Sequence, residues 1–237
     1  DSNSGDLKAI KSAHRARLWE ELGKLPNPNV PNNTEARFYA ETEGWTAYEV
    51  KLDVWEGVFA WGILLVPKGV DLTMPLPAVV TQHGLEGLPK DVLTKDKNER
   101  AYKPYKGFAS DLEGYALSIC SGDFNEWVRK VASTDYEAFN SYPFTGEYEI
   151  PEWNLANTFN YAEMAALIAP RPFMVERGHK DAVGTDKWVA YEYAKVRRHY
   201  ANIQQEGATT IAYFNDGHTI NGKESFAFLD KFLKNAK

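Results

Sequence analysis

Three short apolar runs, each breaking abruptly into polar residues and glycine, restrict this chain more than any other feature. Residues 115–119 give way to Cys-Ser-Gly, residues 173–176 to RGHKD, and residues 209–214 to NDGH. Runs this short, rich in β-branched and aromatic residues, suit strands buried on both faces. Between and after them lie segments with helical spacing. These are 123–132, with Trp127 and Val131 on one face, then 161–168, 188–199, and a closing stretch carrying Phe226, Leu229 and Phe232. Strands alternating with helices at these lengths predict an α/β fold, a mostly parallel sheet flanked by helices. In such a sheet the strand ends share one edge, and open α/β folds bind their ligands there.

A fourth run, PAVVTQHGL, fits the same scheme. Ala78, Val79 and Val80 follow a proline and read as a buried parallel strand, which puts His83 and Gly84 at the carboxyl edge. A glycine there exposes backbone N–H groups, the raw material of an oxyanion hole. The earlier part of the chain reads differently. Residues 1–24 carry Leu7, Ile10, Ala13, Leu18 and Leu22 at roughly helical spacing, and 25–36 form a loop dense in proline and asparagine. Residues 45–55, the Glu56-Gly57 turn and residues 58–66 predict an N-terminal β-hairpin. Residues 88–106 read as a solvated polar loop, 107–113 as a short helix, and the aromatic-rich stretch 133–160 as a packed surface loop, with a lid over a site as the alternative. No repeat or linker divides the 237 residues, so one domain is expected.

Composition narrows the function. The net charge of -6, with both signs interspersed, argues against nucleic acid or an anionic membrane as partner. The longest apolar run, 58–66, contains a glycine and is too short to span a bilayer. One cysteine excludes an internal disulfide and multi-cysteine metal sites, and HExxH, Walker and GxGxxG patterns are missing. Neither metal nor cofactor is expected, and the partner is a neutral or small organic molecule. The sequence begins with Asp1, which fits either a removed signal peptide, and with it an exported protein, or a trimmed chain.

The strand ends then suggest chemistry. Asp181 follows the 173–176 run and His218 follows the 209–214 run, so topology brings an acid and a histidine to one edge. Asp181 can hold the imidazole in the tautomer that a general base needs. His179 is a rival base so close to the acid that a supporting or exposed place suits it better. His14 and His199 read as surface residues on helices. His83, Trp127, Trp153 and Tyr161 are candidates to line a pocket for a sugar or aromatic ring, with core packing as the competing role of the aromatics.

The segments LSICSGDFNEW, NYAEMAALIAPRPFMVERGHKD and DGHTINGKESFAFLDKFL resemble the α/β-hydrolase superfamily. More narrowly, they are similar to its bacterial dienelactone-hydrolase and acetyl-xylan-esterase-like branch. The resemblance runs from about residue 40 onward and is most specific in the C-terminal half. It implies a carboxylic-ester hydrolase acting on a small or carbohydrate-linked acyl ester. It also implies that Asp181 and His218 correspond to the triad acid and base, and that Gly84 and Leu85 supply one side of the oxyanion hole.

One part of the family pattern is missing. Relatives carry their nucleophile in a G-x-S-x-G elbow on a central strand, and no serine here has that context. Between Gly107 and Cys120 there is too little chain for a further βαβ unit. Either whole strand–helix units are lost, or residues are missing from the sequence there. Ser118-Ile-Cys120-Ser-Gly122 offers a substitute, with Cys120 after a strand and before a helix whose N-terminus would favour a thiolate. Three readings follow: an ester hydrolase, a catalytically silent relative that binds, and a dienelactone-type hydrolase using Cys120.

Overall fold

The computed structural model describes residues 2–73, 80–84, 87–111, 117–134 and 154–233. It divides into two compact units, one of Asp1–Leu25 with Leu117–Lys237 and one of Pro26–Ala116. In chain order the elements are α1 (Ser2–Glu21), β1 (Glu35–Glu41), β2 (Trp45–Trp55), β3 (Val58–Pro67) and the short α2 (Tyr102–Tyr105). Then come β4 (Ser118–Ser121), α3 (Trp127–Ala132), α4 (Tyr161–Ala166), β5 (Phe173–Gly178), α5 (Asp186–Asn202), β6 (Thr209–Phe214) and α6 (Lys223–Leu233).

The Pro26–Ala116 unit is built on an antiparallel sheet in the order β1-β2-β3. The expected hairpin is present, pairing Trp45 with Pro67 at one end and Trp55 with Val58 at the turn. An unexpected strand, β1, pairs with β2 and slips register between Phe38 and Ala40. In EARFYAE the bulky apolar residues Phe38 and Tyr39 are adjacent rather than alternating with polar ones, so the stretch carries too little period-2 signal to stand out in sequence. The predicted solvated loop is punctuated by a 3₁₀ turn at Pro89–Val92 and by α2.

The strand expected at Ala78 to Val80 requires a correction. Ala78 and Val79 lie outside the described residues, but Val80 is 93% exposed and residues 80–84 form no strand. A β-branched run after a proline is an ambiguous signal, because extended and polyproline-like backbone satisfies it as well as a sheet does.

The other unit is the predicted parallel architecture. β4, β5 and β6 are adjacent in that order and parallel, with Ser121 opposite Glu176 and Gly178 opposite Phe214. Parallel neighbours need a crossover, and α5 supplies the one between β5 and β6. The period-2 alternation of β5 then sorts its side chains. Phe173 and Val175 enter a cluster with Val189, Val196 and Tyr200 of α5 and Ala162 and Ala165 of α4. Met174 turns the other way, to Ala212 of β6 and Phe228 of α6. The sheet is therefore covered on both faces. A third cluster joins Trp127, Leu155 and Phe159, with Leu18 of α1 against it.

Asn160 and Glu163 form a capping box at the start of α4. The Asn160 Oδ1 that accepts the Tyr161 N–H also accepts the N–H of Trp127, at 2.8 Å, so one side chain fixes the starts of α3 and α4 together.

Candidate functional site

Continuing the alternation past Val175 sends Glu176 to the α6 face and Arg177 to the α5 face, and both side chains are buried. Buried charged groups persist when they are paired, and these two organise the site. Glu176 accepts hydrogen bonds from the Ser121 and Ser225 hydroxyls, both at 2.8 Å. It also accepts the N–H groups of Asn221 at 3.0 Å and Gly222 at 2.8 Å. The loop after β6 is thereby tied to the ends of β4 and β5.

That loop and the one after β5 are laced together by main-chain bonds. The His179 N–H donates to Phe214 O at 2.9 Å and the Lys180 N–H to Asp216 O at 2.9 Å. Gly178 allows this approach, because a Cβ there would lie 2.4 Å from Gly217 O and 2.5 Å from Asp216 O. The result brings Asp181 and His218 into contact, with 3.0 Å between His218 Nδ1 and Asp181 Oδ2. The other carboxylate oxygen of Asp181 accepts the Val183 N–H at 2.9 Å.

Asp181 is buried, whereas the His218 side chain is 56% exposed. An ionised carboxylate only accepts, so Nδ1 carries the proton and Nε2 of the neutral ring is left as a base. The hydrogen bond to Asp181 raises the His218 pKa; burial opposes it, and the charges of Asp181 and Asp123 add to the rise. Gly122, at φ +91°, lies behind the ring: a Cβ there would come within 2.9 Å of Cε1. Asp123, next in the chain, accepts from the Tyr161 hydroxyl at 2.7 Å and lies 3.3 Å from the buried Lys130 Nζ. A half-exposed imidazole backed by a buried carboxylate can take a proton from an attacking hydroxyl, thiol or water and return it to a leaving group.

Cys120 packs against the α4–α5 cluster, and burial pushes its thiol up to about 12. The lowered pKa expected of it is thus reversed: desolvation and the nearby Asp123 outweigh the N–H groups of Asp123 and Phe124. Trp127 is buried in its cluster and stacks on Tyr161, with centroids 6.4 Å apart.

Gly84 and His83 belong to the Pro26–Ala116 unit. The Gly84 N–H donates to the Tyr105 hydroxyl at 2.7 Å, and His83 Nδ1 lies 2.8 Å from Gly84 O. Leu85, Trp153 and most of the 133–160 stretch lie outside the described residues. His179, half-exposed, bonds Asp186 and stacks on Tyr213.

No protein-family model and no curated protein matches the chain. Among solved structures it is similar to a Bacteroides fragilis NCTC 9343 protein assigned as an acetyl xylan esterase. That match has a TM-score of 0.59 at 14% identity and covers 88% of this chain and 75% of the other. The chain also aligns with the methylesterase BT1017 at 16% identity and a TM-score of 0.48, covering 97% of this chain and 63% of that one. At such identities the first of these likenesses shows a shared fold.

Proposed function

We propose that this protein is a carboxylic-ester hydrolase of the α/β-hydrolase type, acting on a small or carbohydrate-linked acyl ester. The observation that carries the reading is the Asp181–His218 pair, held by two adjacent parallel strands at their carboxyl ends. The shared fold with an assigned acetyl xylan esterase supports it.

His218 Nε2 takes the proton of the attacking group as that group adds to the ester carbonyl. Asp181 steadies the imidazolium that results. The tetrahedral adduct then collapses, the C–O bond to the alcohol breaks, and Nε2 returns the proton to the departing oxygen. If the attacking group is a side chain, water enters next and the same two proton transfers release the acid. Cys120 is the weaker nucleophile for this scheme, since a thiol at about 12 is almost wholly protonated at neutral pH.

The test is turnover of p-nitrophenyl acetate and acetylated xylan, together with capture of the nucleophile by a fluorophosphonate probe and peptide mapping. We expect hydrolysis that falls by about 10³–10⁴-fold in His218→Ala and Asp181→Asn. Equal turnover in wild type and His218→Ala would refute the assignment. Absence of turnover across acyl esters would replace it with the silent, ligand-binding reading.

A further inference from the structure

The Arg177 guanidinium is 2% exposed, and its bonds are divided in an unusual way. Nη2 donates to two main-chain carbonyls, those of Asp181 at 3.0 Å and Gly184 at 2.7 Å. Nε donates to Asp186 Oδ1, in the first turn of α5, at 3.0 Å. Nη1 makes no hydrogen bond and lies 3.6 Å from Asp181 Oδ2, the oxygen that faces His218. On its far side Asp186 is braced in turn: His179 Nδ1 lies 2.6 Å from Oδ2, and the His179 ring lies flat against Tyr213, 5.4 Å between centroids.

An arginine that served only to neutralise Asp181 would grip its carboxylate with two parallel bonds. Here the planar fork instead holds both ends of the 181–186 loop, and the acid's outer oxygen is left to the histidine. A lysine, a point charge on a flexible stem, cannot span these acceptors. We propose that Arg177 is a positioning residue for the acid–base pair, fixing the Asp181 loop between β5 and α5 with Asp186 and His179 bracing its outer edge. This rests on the reading of Asp181 and His218 as the working pair.

The charged groups that bear on the measurement are few. His218 is faced by Asp181 from the β5–α5 loop, by Asp123 from the β4–α3 segment and by Lys130 from α3. Arg177 is faced by Asp181, by Asp186, by Tyr213 of β6 and, through Asp186, by His179.

The experiment is an NMR titration of the His218 ring, with the His14 ring as an internal control, in Arg177→Lys, Asp186→Ala and Asp186→Asn. Positioning predicts that the His218 midpoint falls by about one pH unit in Arg177→Lys, because charge is kept while the fork is lost. Asp186→Ala lowers it less. Asp186→Asn, which keeps an acceptor for Nε, holds it near wild type. A charge-only role leaves Arg177→Lys unchanged and moves the two Asp186 variants equally, and either result overturns the proposal. The Asp186 pair decides the matter if Arg177→Lys fails to fold. The titration needs no turnover, so a failed ester assay leaves it interpretable. Where esters are hydrolysed, kcat falls at least tenfold in Arg177→Lys with KM little changed.

Discussion

His218 answers to pH in two opposite ways. Its folded pKa is raised above the ordinary 6.5, chiefly by the bond to Asp181. The stabilisation from that pairing is full below the ordinary value and is lost as pH rises through the folded one. Catalysis by a neutral imidazole runs the other way. We expect kcat/KM to climb through the raised value while thermal stability declines over the same window, and a pH series of both would show it. In Asp181→Asn the kinetic midpoint shifts to lower pH.

Gly122 gives a second residue-scale prediction. Its φ of +91° and the 2.9 Å from a Cβ to His218 Cε1 mean that Gly122→Ala adds strain and displaces the ring. A loss of about 1–2 kcal/mol in urea unfolding and a drop in turnover larger than the stability loss explains are expected. The meeting of Asp181 and His218 was legible in the sequence because each follows an apolar run, and the ends of parallel strands share one edge. Glu176 and Arg177 were not, since a charged residue closing a run reads as the start of a turn. Their burial depends on acceptors and donors brought in from distant segments.

Among elements, the closing helix depends on one carboxylate of the central strand. Glu176 on β5 holds the N–H groups of Asn221 and Gly222 and the Ser225 hydroxyl at the start of α6, as well as Ser121 of β4. Replacing it with alanine leaves four donors without their acceptor. We expect Glu176→Ala to cost about 3 kcal/mol, or roughly 10 °C in Tm, and to weaken turnover because the His218 loop is anchored there. A Tm within 2 °C of wild type, by the scale of a single kcal/mol, would contradict this account. The alternation that places Glu176 was readable once β5 was known to run to Gly178. The sequence reading ended that run at Glu176, and so missed which face each charged side chain would take. β4, β5, β6 and their helices were otherwise recovered from spacing. At Val80, the one described residue of the strand expected over 78–80, the reading failed, because a short β-branched run says that the backbone is extended without saying what it pairs with.

At the scale of the whole molecule, apolar burial is unevenly divided. Among the described residues the only hydrophobic side chains that the Pro26–Ala116 unit buries are Ala47, Val92 and Ala109, while the other buries Phe173, Met174, Val175, Trp188, Val189, Val196 and more. Apolar burial is the main favourable contribution to folding, so resistance to local opening should follow the same division. Native-state hydrogen exchange should therefore release the amides of β2 at least about tenfold sooner than those of β5. The reverse order would show that the hairpin sheet draws its stability from another source. The acid, the base, the arginine and the glutamate that support them all lie between β5 and the start of α6. That stretch leans on the end of β4 through Ser121 and Gly122, and on the proposed reading it is a cassette: its proton-transfer machinery would stay intact while evolution, or a protein engineer, exchanged whatever delivers the attacking group.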